Sequence, residues 1–101
     1  MYKNGRHVRK RDGYVNLTGF FDHPNSQKDG SILEHTLIMS NHLGRPLTKS
    51  ETVHHKNGNR QDNRLSNLEL WSSRQPKGQR VTDKLEYARE IIALYGDYVQ
   101  P

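Results

Sequence analysis

Two adjacent histidines, His54 and His55, stand just ahead of Asn57-Gly58, and a polar run of Asn, Asp and Arg leads from there to Asn67 and the segment Leu68-Glu69-Leu70-Trp71. Imidazole exchanges its proton near neutral pH and is a common metal ligand, so a histidine pair offers a general base and a ligand at one place. Asparagine does not ionise, but its amide donates and accepts together, which suits it to pinning a loop. A His pair alone is weak evidence, because histidines more often serve as hydrogen-bonded surface or core residues. Geometry restricts the pair further. Neighbours in a regular strand face opposite ways, so both rings serve one site only where the strand ends or twists, and Asn57-Gly58 supplies such an ending.

Composition limits what other chemistry is open. With no Cys in 101 residues, disulfides, thiolate zinc sites, iron–sulfur clusters and thiol nucleophiles are excluded. A metal would need His, carboxylate or amide ligands. Net charge is +5, distributed as +3 over residues 1–31, +4 over 32–80 and −2 over 81–101. A positive field over the first four-fifths of the chain favours a polyanion, most commonly nucleic acid. The opening MYKNGRHVRKRDG has no apolar stretch behind it and no run approaches the length of a membrane span, so a cytoplasmic chain without a membrane partner is expected.

The elements that must position these residues are few. Only 31% of residues are hydrophobic, which predicts a thin core supported by turns, caps or an ion. Residues 1–12 carry Lys3, Arg6, Arg9, Lys10 and Arg11 and little that is apolar, and read as a basic arm ahead of one domain over 13–101. Tyr14–Thr18 predicts a short strand followed by a long loop. The spacing of Ile32, Leu33, Leu37, Ile38, Met39 and Leu43 predicts a helix, with Ser31 and Glu34 as a capping box and Gly44 as its stop. Residues 51–55 and 68–71 predict a hairpin around a long polar connection. Ser72 or Ser73 suits the start of a helical turn that Pro76 and Gly78 weaken. Asp83 and Glu86 predict a second capping box, opening a helix whose face is Leu85, Ala88, Ile91, Ile92 and Tyr95 and which packs on the core.

The ordered set Val53-His54-His55-Lys56-Asn57-Gly58-Asn59, Asp62-Asn63-Arg64 and Asn67-Leu68-Glu69-Leu70-Trp71 resembles the core of the HNH endonucleases. Upstream, Glu34–Met39 and Leu43–Leu47 are similar to the lead-in of small phage-type members. The resemblance runs from about residue 13 to about residue 95, with 34–71 its specific part. It implies an α+β fold with a ββα-metal (His-Me finger) hairpin–helix core, an additional N-terminal strand, a preceding helix and a C-terminal helix. It further implies a metal-dependent DNA endonuclease, nicking or cutting both strands, that leaves 5′-phosphate and 3′-hydroxyl ends. His55 takes the position of the general base, His54 that of a metal ligand, and Asn67 that of the central Asn that pins the loop.

The third signature position is where the chain departs from the family. It falls in the first turn of the helix after the second strand, where this sequence has Gln75 and Pro76. Proline has no donor atom to offer, so Gln75 is the candidate ligand and Gln79 the reserve. One imidazole and one amide make a weak, hard site suited to Mg²⁺ or Mn²⁺. The basic residues Arg45, Lys56, Arg60, Arg64, Arg74, Lys77 and Arg80, with the five of the arm, form the expected phosphate footprint, and His35 is a further candidate for DNA contact or support. DNA is the expected partner, with phage packaging proteins or a second copy of the chain as further candidates. The rival expectation is a DNA-binding module of nuclease-like fold whose chemistry is lost.

Overall fold

The computed structural model describes residues 5–101, so the expected phosphate contact from Lys3 lies outside the described residues. Strand β2 (Val15–Leu17) is the centre of a three-stranded antiparallel sheet, flanked by β1 (Arg6–Val8) and β3 (Ile32–Leu33). Val15 and Leu17 are fully buried while Asn16 between them is less so, the alternation of a half-buried strand. Part of the expected arm is therefore strand. Residues 6–8 pair with 15–17, through Arg6 opposite Leu17 and Val8 opposite Val15. Their side chains are exposed, so they leave no apolar mark in the sequence.

Helix α1 (Glu34–Leu43) follows β3 without a loop. The expected capping box does not form. Leu33 holds the N-cap position with no side-chain bond, because Ser31 gives its hydroxyl to Asp29 at 2.6 Å and Glu34 turns inward. Gly44 ends the helix as expected, at φ 73° in the left-handed region, with its N–H on the carbonyls of Ser40 and Asn41. α1 touches β2 and β3 on one side and β4 (Glu51–His55) and β5 (Leu68–Ser72) on the other, so it joins the small sheet to the hairpin. The β4–β5 pair runs antiparallel with Glu51 opposite Ser72 and His55 opposite Leu68.

The core is thin, as the composition requires. Val15, Leu17, Ile32, Leu37, Met39 and Leu68 are buried, but so are Glu34, His35, Ser40, Glu51, Asn63, Asn67 and Asp83. An interior so polar must be held by hydrogen bonds and ion pairs, since a buried polar group without a partner costs about 1–3 kcal/mol.

Two expectations for the C-terminal third are corrected. No helical turn follows β5; residues 73–80 are a connection, and α2 spans Val81–Tyr95. The ββα arrangement with Gln75 in the first helical turn is therefore not present in that form. Asp83 is the third residue of α2 rather than its cap, and accepts the Arg80 backbone N–H at 3.2 Å. The inward stripe is Asp83, Tyr87, Glu90, Ile91, Leu94 and Tyr95, rotated from the face expected. Leu85 and Ile92 stay 49% and 69% exposed, because Tyr87, Glu90 and Tyr95 find hydrogen-bond partners on the other side.

Candidate active site

His55 ends β4, where the chain turns at once. Its carbonyl accepts the N–H of Gly58 at 3.0 Å, and Gly58 has φ 76°, a conformation glycine adopts without steric cost. Buried Asn67 ties the two ends of the polar connection together. Its Oδ1 accepts the Asn57 N–H at 3.2 Å, and its Nδ2 donates to Asn57 Oδ1 at 3.0 Å and to the Asp62 carbonyl at 2.8 Å. Asp62 is gripped in turn by the Arg64 fork and by Asn57, and these hydrogen bonds hold its carboxyl well below the usual range.

The His55 ring sits above His35 in an edge-to-face arrangement, centroids 4.9 Å apart, with Tyr14 5.1 Å from His35 and 6.1 Å from His55. His55 Nε2 bonds Asn63 Oδ1 at 2.5 Å, and Asn63 Nδ2 donates to Glu34 Oε1 at 2.8 Å. His35 is 6% exposed. Burial first, and the facing His55 next, push its pKa down to about 4, so it is neutral at physiological pH. It lies against His55 and lines the same cleft.

His54 points to the other side of the hairpin, sharing a face with Thr52, Glu69 and Trp71. It stacks on the Trp71 indole at 3.6 Å, and its Nε2 lies 3.2 Å from Thr52 Oγ1. His54 and His55 both line one cleft of about 570 Å³, together with Tyr14, His35, Thr36, Glu51 and Arg60. Gln75 does not join them. It is exposed in the connection after β5, beside a separate small hollow with Pro76, Lys77, Asp83, Glu86, Tyr87 and Glu90; Gln79 is exposed in the same connection.

Most of the expected phosphate footprint is paired within the protein. Arg6 forks onto Glu34, Arg9 onto Asp12, Arg45 onto Glu51, Arg64 onto Asp62 and Arg80 onto Asp83. Arg74 meets Glu90 at 2.8 Å, Lys77 meets Glu86 at 3.7 Å and Arg11 stands 3.7 Å from Asp12. Lys10 is exposed. Lys56 donates to the carbonyls of Ser66 and Pro101. Arg60 is different: it lines the cleft, lies over the Tyr14 ring at 4.6 Å and donates to the Asp12 carbonyl at 2.8 Å, and among the described residues no carboxylate pairs with it.

Glu51 shows what such a pair does. Burial would raise its pKa, but hydrogen bonds from Arg45, the Thr48 N–H and Tyr95 outweigh that and hold it at about 2. The Arg45–Glu51–Tyr95 cluster links the segment before β4 to α2. Three residues at the site had no role in the sequence analysis: Tyr14, Asn63 and Glu34 as an inward carboxylate. Asn63 lay within the recognised motif, but nothing in the sequence separates its buried amide from the exposed ones around it.

These features describe a small α+β domain with a histidine-centred cleft on a hairpin, pinned by an asparagine and edged by Arg60. The sequence model of the HNH endonuclease family matches residues 33–76, the stretch that carries His54, His55 and Asn67. No curated protein and no solved structure matches the chain.

Members of this family generally depend on a divalent cation. Among the described residues no group of three His, Cys, Asp or Glu converges to hold one. His54 offers one imidazole, and Gln75 stands at a different hollow. Among the described residues the donors do not by themselves build a metal site. No described helix is long and apolar enough to cross a membrane.

Proposed function

We propose that the chain is a DNA endonuclease that hydrolyses phosphodiester bonds, with His55 as the general base and 5′-phosphate and 3′-hydroxyl ends as products. The observation that carries this reading is the single cleft in which His55 stands beside His54 and Arg60, with its ring oriented by Asn63 and supported by neutral His35. In this scheme neutral His55 takes a proton from the attacking water, a contribution worth about 10²–10⁴ in rate. Arg60 holds a phosphate oxygen, and Asn67 keeps the loop from drifting as the substrate seats. The expected ion is Mg²⁺ or Mn²⁺; if bound in the cleft it would have His54 as its protein ligand and would supply stabilisation of charge developing on phosphate oxygens.

The position of Gln75, away from the cleft, favours a second reading: a DNA-binding module of nuclease-like fold without cleavage activity. Incubating supercoiled plasmid with purified protein in Mg²⁺, Mn²⁺ or EDTA decides between them. Relaxed or linear product that disappears in EDTA is the expected result. Salt-sensitive binding with intact plasmid in both metals would establish the second reading instead.

A further inference from the structure

We propose that Arg6, Glu34 and Asn63 form a line of positioning residues that holds His55 as its Nε2–H tautomer, leaving Nδ1 as the atom that accepts the proton of water. The proposal deepens the reading of His55 as the base and rests on it.

Arg6 Nε donates to Glu34 Oε2 at 2.8 Å and Nη2 to Oε1 at 3.0 Å, a two-pronged grip on a carboxylate whose side chain is 5% exposed. A carboxylate held in this way only accepts. The atom of buried Asn63 that lies 2.8 Å from Glu34 Oε1 must therefore be a donor, and of the two amide atoms that can only be Nδ2. The amide is thereby fixed against the inverted orientation, and Oδ1 is the atom that faces His55 Nε2 at 2.5 Å.

An amide oxygen cannot donate, so Nε2 carries the hydrogen. Neutral imidazole has one N–H, which leaves the lone pair on Nδ1. No hydrogen bond to His55 Nδ1 is found among the described residues. A base must present a lone pair, so the chain of contacts selects the competent atom before substrate arrives. Asn67 and Asn63 thus divide the work: Asn67 closes the loop, and Asn63 sets the ring.

Nitrogen-15 NMR of the intact protein at mildly alkaline pH, where an ordinary imidazole is neutral, reads the tautomer directly. For His55 the expected spectrum has a protonated Nε2 and a bare Nδ1. Asn63→Ala removes the acceptor. Glu34→Gln is nearly isosteric but lets the amide pair invert, so Asn63 can turn its NH₂ toward His55. Both variants should give mixed tautomers and lower kcat by about tenfold or more, a fraction of full loss of the base, with KM nearly unchanged. A wild-type His55 found mainly as Nδ1–H overturns the proposal without any variant, even if Asn63→Ala fails to fold. Wild-type tautomer and kcat in folded Glu34→Gln would overturn it as well. Full activity in His55→Ala would instead refute the base assignment, and the tautomer measurement would still stand on its own.

Discussion

At the scale of single residues, His55 and His54 face opposite sides of one strand and should fail differently. His55→Ala removes the proposed proton acceptor while leaving the cationic side chains in place, so plasmid binding should persist and cleavage should fall about 10²–10⁴-fold. Product accumulation on agarose, beside a binding titration, measures both. His54→Ala should reduce metal-dependent cleavage with partial recovery in excess Mn²⁺, whereas exposed Gln75, apart from the cleft, should tolerate Ala at near wild-type activity. A dead Gln75→Ala enzyme would mean that the connection after β5 moves in on DNA. His35 adds a pH dependence. Its folded pKa, about 4, lies below the usual 6.5, so the unfolded chain takes up a proton first as pH falls. Its stabilisation is full above about pH 6.5 and is lost progressively toward pH 4. Denaturant midpoints measured across that window should decline in wild type, and His35→Leu should flatten the decline.

The elements depend on small polar devices more than on apolar area. The connection between β4 and β5 is kept in shape by Asn67 and by the left-handed turn at Gly58. Asn67→Ala would leave the Asn57 N–H and the Asp62 carbonyl short of partners, for a loss of about 1–3 kcal/mol and weaker cleavage. At Gly58 a new Cβ would meet nothing within 4 Å, so Gly58→Ala tests backbone conformation alone and should cost about 1–2 kcal/mol. Thermal melting of the two variants checks both values. Farther along, the Glu51 cluster fastens β4 to α2. With the Glu51 pKa lowered to about 2 from 4.5, its contribution is present above pH 4.5 and lost as pH falls toward 2, a window that begins near the acid end of that of His35.

At the scale of the whole molecule, the positive field is smaller than the count of basic residues suggests, because most arginines face a carboxylate. Arg60 lies at the cleft without one. Arg60→Ala should therefore lower DNA affinity and flatten the slope of log affinity against log salt by about 0.9, the share of one phosphate contact. Fluorescence anisotropy at several salt concentrations measures it. Deleting residues 1–11 should do more than weaken binding. It removes β1 from the sheet and Arg6 from Glu34, so a lower melting temperature is expected together with slower cleavage.

What the sequence determined by itself was local. The stop at Gly44, the hairpin around Asn57-Gly58 and the thin core follow from turn chemistry, periodicity and composition, the first two of which act between near neighbours. The tertiary structure decided whatever depends on partners far apart in the chain. Glu34 has the spacing of a helix cap, yet it turns inward because Arg6, 28 residues away, and Asn63, 29 residues away, meet it there. Residues 6–8 look like a solvated arm, yet β2 offers them an edge to pair with. Of the expected face of α2, Ile91 and Tyr95 turn inward, but Leu85 and Ile92 stay exposed while Tyr87 and Glu90 take inward places with hydrogen bonds to Arg74. In a chain with so little apolar surface, long-range polar pairing sets the final orientation of its elements, and such pairing has no sequence period by which it can be read.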